Sequence, residues 1–160
     1  MGKKLFDYVI GNPPYQDDTV GDQKAFAPPV YYLFLDEAYK ISDRVEMIHP
    51  ARFLYNAGGT PKNWNEKMLA DPHLKIEFHE LDSGNVFANT NINGGIVITY
   101  RDATKDFGEI GVYSAFPELN SIRRKVWRID QGSLSDIIAN RGLYKFSNRA
   151  YDEQPDELAK

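Results

Sequence analysis

Four consecutive residues, Asn12-Pro13-Pro14-Tyr15, bring together a neutral amide, two rigid main-chain carbonyls and an aromatic ring. The ring of Pro13 fixes its φ, and Pro14 biases Pro13 toward an extended ψ, so the Pro13 carbonyl points in a nearly predetermined direction. Neither proline has an N–H with which to close a turn. An amino group on an aromatic base is a poor nucleophile because its lone pair is delocalised into the ring. Two acceptors, one on each amino hydrogen, favour a tetrahedral nitrogen with that lone pair exposed. The Asn12 side-chain oxygen and the Pro13 carbonyl suit that task, and an amide does it without titrating. Tyr15 is then free to stack on the base, an interaction of roughly 1–3 kcal/mol that is comparable to the cost of unstacking a base from a duplex. Ordinary strand-to-loop punctuation is the competing reading of the same four residues.

The elements around this block read as alternating strands and helices. Leu5–Ile10 is an apolar run typical of a buried strand, ended by Gly11. A polar loop, Gln16–Ala27, follows. Pro28-Pro29 is expected to open a helix whose apolar face is Tyr31, Phe34, Leu35, Ala38 and Ile41. The same Pro28-Pro29-Val30-Tyr31 fits a WW-domain ligand, but serves better as a helix start. Arg44–His49 reads as a strand. Asn63–Ala70 reads as a helix with Trp64, Met68 and Leu69 inward. Leu74–Leu81 alternates Leu74, Ile76 and Phe78 with Lys75, Glu77 and His79, a strand with one wet face. Gly95–Tyr100 is a further strand, and Gly111–Ser114 is expected to extend or cap the sheet. Residues 115–130 give no clear signal, Leu134–Ala139 reads as a helix, and the acidic tail from Asp152 as frayed.

The Asn12–Tyr15 block resembles the catalytic motif of the amino-methyltransferases, most closely the adenine-N6 DNA methyltransferases of restriction–modification systems. Val45–Leu54, with Pro50-Ala51-Arg52-Phe53-Leu54, is similar to the family's next strand and helix start. Residues 87–99 resemble its later block, in which Phe87 matches a second aromatic against the target base. Ser133–Ile138 and Asn140–Leu143 resemble the lead-in to a target-recognition region. The resemblance implies an α/β fold: the C-terminal half of a Rossmann-like S-adenosylmethionine-dependent methyltransferase sheet (residues 1–114), then a linker and the start of a DNA target-recognition region (residues 115–160). It implies that Asn12 and Pro13 take the two amino hydrogens, that Tyr15 and Phe87 sandwich a flipped adenine, and that Asn12 and Pro14 touch the cofactor. Double-stranded DNA is the implied partner. The Gln16–Ala27 loop is expected to order on it, and Arg123, Arg124 and Lys125, near Arg128, to meet its phosphates.

The family's glycine-rich cofactor turn is not recognisable here, since Gly58-Gly59 and Gly94-Gly95 lack its setting. S-adenosylmethionine is therefore expected to be held mainly by an N-terminal part of the protein outside this chain, and the isolated chain to be inactive. Leu5–Ile10 would then be an unpaired apolar edge prone to self-association.

Composition narrows the classes further. The chain has 160 residues, 42% hydrophobic, with a net charge of −4. That charge is not the footprint of a stand-alone nucleic-acid binder, so attraction to DNA must be local or supplied elsewhere. No cysteine is present, which excludes a disulfide scaffold and the cysteine-dependent cytosine-C5 mechanism. Direct amino methylation needs no such nucleophile. No signal peptide or long apolar span is visible, and the expected compartment is the cytoplasm. His49, His73 and His79 lack a metal-ligand frame. Asp17-Asp18 lacks the lysine-containing partner of a nuclease site, so any fused endonuclease would lie on another domain. Trp64 and Trp127 read as core. Two alternatives stay open: a protein-glutamine or RNA amino-methyltransferase, and a non-catalytic DNA-recognition module.

Overall fold

A computed structural model describes residues 4–17, 27–126 and 137–138. The chain divides into two compact units, Met1–Pro117 and Glu118–Lys160. The first is a small α/β domain with a mixed four-stranded sheet. Its elements run β1 (Val9–Gly11), α1 (Tyr31–Ile41), β2 (Arg44–Pro50), a 3-10 turn (Ala51–Tyr55), α2 (Lys62–Leu69), β3 (Leu74–Glu80), a second 3-10 turn (Ser83–Asn85) and β4 (Ile96–Asp102). The sheet order is β1-β2-β4-β3. β1 pairs with β2 in parallel, while β4 lies antiparallel to both β2 and β3. In the second unit the described residues form most of a helix, α3 (Pro117–Val126), and Ile137 and Ile138 are exposed.

The core lies on one face of the sheet. Val45, Met47 and His49 alternate inward from β2, as the period of two requires, and Leu74 and Val97 join them from β3 and β4. α1 covers this layer with Tyr31, Leu35 and Ala38, spaced four and three residues apart on one stripe. Phe53 and Leu54 from the 3-10 turn and Trp64 and Met68 from α2 complete it.

His49 is a buried polar member of this layer, beside Thr99. Its Nδ1 donates to the Pro50 carbonyl (3.2 Å) and its Nε2 accepts from Thr99 Oγ1 (2.9 Å). The ring stacks on Tyr31 at 5.3 Å between centroids. Both nitrogens are used by one neutral tautomer, and burial pushes its pKa down to about 4, with the Pro50 carbonyl pulling weakly the other way.

Several expectations need correction. The apolar run Leu5–Ile10 is not a buried strand. The strand is only Val9–Gly11, and Leu5, Phe6, Tyr8 and Ile10 are exposed, because β1 is an edge strand bonded on one side alone. Pro28 and Pro29 precede α1 without opening it; Pro29 instead forms a bridge with Gln16. Phe34 lies on the outer side of α1, and Leu69 is only half-buried. In β3 a bulge falls between Ile76 and Phe78: Ile76 faces Thr99, whereas Phe78 faces Ile98. One extra residue swaps the faces, so Phe78 turns outward and His79 turns toward the core side. Gly111–Ser114 does not extend the sheet, although Tyr113 packs on His79 of β3; the Gly111 N–H bonds the Leu69 carbonyl (2.9 Å). Helix α3 occupies a stretch without a clear sequence signal. The expected Leu134–Ala139 helix, the blocks around it, Trp127, Arg128, residues 18–26 and the tail lie outside the described residues, Ile137 and Ile138 apart.

The chain enters β4 through Gly95, at φ +79°, where a Cβ would sit 2.0 Å from the Glu80 carbonyl oxygen. Gly95→Ala is therefore expected to lower the unfolding free energy by about 3 kcal/mol or more. Gly108→Ala, at the same φ but facing open space, should cost only about 1–2 kcal/mol. Urea unfolding of the two variants tests the difference. His49 predicts a second outcome. Its folded pKa lies below the unfolded value near 6.5, so its contribution is complete above pH 6.5 and is lost as pH falls toward 4, by about 3 kcal/mol in all. Unfolding measured across that window should show this acid slope, and His49→Gln should flatten it.

Candidate active site

The topology gathers three loops at one edge of the sheet. β1 and β2 are parallel, so the chain leaves both at the same end. Pro50 and Glu80, at the ends of β2 and β3, both face Ile96, the first residue of β4. The segment after β1, the segment after β2 and the connection from β3 to β4 therefore meet outside the strand ends, the usual place for a ligand site in an α/β sheet.

A cavity of about 340 Å³ lies between these loops, within the ordinary size range of small-ligand pockets. Tyr15 and Gln16 come from the first loop, Arg52 and Gly58–Thr60 from the second, and Asn91–Asn93 from the third. Tyr31 and Pro50 form part of its wall. Burial pushes the Tyr31 hydroxyl up to about 12, although the Thr60 hydroxyl and the Arg52 charge act in the other direction. Tyr31, Phe53 and Trp64 pack edge to face behind this wall, with Trp64 5.6 Å from Phe53 and 6.1 Å from Tyr31.

Each loop has its own fastening. Tyr15 accepts from the Val30 N–H (3.1 Å) and the Asp17 N–H donates to Pro28 (3.0 Å), so the segment after Tyr15 is laced to the approach to α1. Ser83, fully buried, takes the Ile92 N–H (2.8 Å) and donates to the Thr90 carbonyl (3.1 Å). His79 donates from Nε2 to the Gly94 carbonyl (3.1 Å) while the Tyr113 hydroxyl donates to its Nδ1 (3.0 Å). The Ala51 N–H bonds the Gly95 carbonyl (3.0 Å), tying the second loop to the third.

The site residues expected from sequence fall as follows. Asn12 follows β1 directly, and its side chain is exposed and makes no hydrogen bond among the described residues. Pro13 is buried and Pro14 exposed. Tyr15 is half-buried against the core and lines the cavity; its hydroxyl is buried without a hydrogen-bond partner, and burial raises its pKa. Phe87 is half-buried on the third loop, where its N–H bonds Ser83 (2.8 Å). Only Tyr15 of these five is part of the cavity wall. Arg123 and Arg124 lie on α3, whose Lys125 is exposed. The structure adds Arg52, Asn91 and Asn93 to the site. Arg52 lay in the Pro50–Leu54 block and Asn91 and Asn93 in the residue 87–99 block, both noted for their resemblance, but nothing in the sequence marked these three side chains themselves as site residues.

No group of three or more potential metal-binding side chains occurs among the described residues. A nucleotide-cofactor turn sits between a strand and the helix that it opens. Gly58-Gly59 follows a 3-10 turn and Gly94-Gly95 leads into a strand, so neither forms such a cradle for S-adenosylmethionine. No helix among the described residues is long and apolar enough to cross a membrane.

Comparison with known proteins agrees with the motif. The chain is 30% identical over 98 residues to an "Uncharacterized adenine-specific methylase" of Mycoplasma pneumoniae. That match covers 60% of this chain and 23% of the relative, so the chain spans about a quarter of the length of the curated relative it matches. No solved structure matches. Residues 1–87, more than half the chain, match the Eco57I restriction-modification methylase family, and the chain belongs to that family.

Proposed function

We propose that the protein containing this chain methylates N6 of an adenine extruded from a short DNA site. The observation that carries the reading is the place of Asn12-Pro13-Pro14-Tyr15: it leaves a strand at the sheet edge where three loops enclose a cavity, with Tyr15 in the wall. Membership of a restriction-modification methylase family supports DNA as the substrate. The sheet order, with its last strand inserted antiparallel between β2 and β3, supports placing residues 1–114 as the later half of a Rossmann-like methyltransferase sheet. Residues 115–160 would begin the recognition region, where Arg123, Arg124 and Lys125 would meet phosphates.

S-adenosylmethionine supplies the electrophilic methyl group in this family, and the groups of this chain act mainly on the acceptor base, with Asn12 and Pro14 also meeting the cofactor. The Asn12 amide is exposed and makes no hydrogen bond among the described residues, so its oxygen is available to one amino hydrogen. The Pro13 carbonyl takes the other. Tyr15 and Phe87 hold the ring by stacking, which requires Phe87, outside the cavity wall here, to meet the base on DNA. The acceleration comes from alignment and from acceptors already in place.

Asn12→Ala in the full-length protein should lower methylation turnover by about a hundredfold or more, on the scale of losing one preorganised polar group at a reacting centre. DNA affinity should stay close to that of the unsubstituted protein. Near-normal turnover of the variant overturns the assignment. The open edge of β1 yields a second expectation. With Leu5, Phe6, Tyr8 and Ile10 exposed and β1 at the edge of the sheet formed by the described residues, the isolated chain should self-associate, and Ile10→Lys should shift it toward monomer in sedimentation velocity. A monodisperse monomer before substitution would refute this.

A further inference from the structure

Arg52 stands out among the residues of the cavity. Among the described residues lining it, Arg52 alone carries a charge. It is exposed and makes no ion pair among the described residues. An extruded adenine is neutral, and the acceptors for its amino group are neutral too, so the base gives no reason for a cation. The nucleotide that carries the base does: extrusion swings its sugar and phosphates toward the mouth of the pocket.

The surroundings of Arg52 hold its stem and leave its head free. A Cβ on Gly58 would lie 3.2 Å from Arg52 Cβ and 3.4 Å from its Nε, and a Cβ on Gly94 would lie 3.0 Å from its Cγ. Both glycines sit in the left-handed region, at φ +91° and +87°. They come from different loops, the one after β2 and the one before β4. Together they leave a slot for one unbranched side chain, which restricts the stem before any ligand arrives. A planar guanidinium on a restrained stem is suited to two parallel hydrogen bonds to a phosphate.

We propose that Arg52 binds a backbone phosphate flanking the extruded adenosine, an assignment that rests on the flipped-base reading above. Arg52 contacts the substrate away from the reacting atoms, and it fixes the register in which the base enters beside Tyr15. Gly58 and Gly94 are positioning residues for it.

The test uses the full-length protein and duplexes containing its methylation site, with a neutral methylphosphonate placed in turn at each phosphate next to the target adenine. In the unsubstituted protein, one of these should weaken binding by about tenfold, the scale of one charge-assisted contact. Arg52→Met, which keeps an unbranched stem, should show the same loss on unmodified DNA and no further loss at that methylphosphonate. Its salt dependence should be shallower by about one phosphate, with the slope largely restored in Arg52→Lys. Equal methylphosphonate penalties in the protein and in Arg52→Met overturn the proposal, as does unchanged affinity of Arg52→Met. Thermal unfolding confirms that both variants are folded. 2-Aminopurine at the target position separates this inference from its premise. No fluorescence rise with the unsubstituted protein means that the base is not extruded and the flipped-base reading itself fails. A normal rise with equal penalties removes Arg52 alone.

Discussion

Strand β4 is hydrogen-bonded on both sides, and the chain enters it so close to the end of β3 that only glycine fits. Gly95 meets that constraint, with no room for a Cβ beneath the Glu80 carbonyl. The other features of the site depend on this crossing. It fixes the end of the third loop, the Gly95 carbonyl then holds Ala51 at the start of the second, and Gly94 presses against Arg52. A loop that arrived a few ångströms higher would leave Asn91–Asn93 away from Tyr15, and the cavity would be an open edge. The close crossing is possible because β2 and β4 pair along seven residues and do not slip: Val45, Met47 and His49 face the core in one register only.

The electrostatics of the site are as specific as its shape. Its polar groups are amides, hydroxyls and main-chain carbonyls, with Arg52 as the single charge among the described residues of the wall. The wall is backed by Tyr31, and behind Tyr31 lies His49, kept neutral by burial. At net charge −4 the chain has no overall field that would draw in a polyanion, so the DNA reading proposed above rests on local cations and not on the net charge.

Much of the fold was legible because its signals are local. The α1 stripe of Tyr31, Leu35 and Ala38, the alternation in β2 and the inward Trp64 and Met68 of α2 each follow from a repeat within a few residues. The misread elements depended on neighbours. Leu5–Ile10 has the composition of a buried strand; its place at the edge was expected from the resemblance, but its shortening to Val9–Gly11 and the exposure of Leu5, Phe6 and Ile10 were not. Phe78 has the right spacing for the core, and one bulged residue puts it outside. Helix α3 is the most strongly amphipathic of the three described helices, but its low average hydrophobicity hid that pattern.

The chemistry of the site divides in the same way. The sequence by itself singled out the Asn12–Tyr15 block, since a neutral amide followed by two prolines and a tyrosine constrains its own backbone and needs no distant residue to do so. It also determined the family, because that block and its neighbours occur in order. Only the tertiary structure decided what faces Tyr15. Arg52 and Asn91–Asn93 are distant in sequence, and they meet because a parallel and two antiparallel pairings bring three strand ends to one edge. Such pairings are set by the burial of whole faces, and no local spacing encodes them.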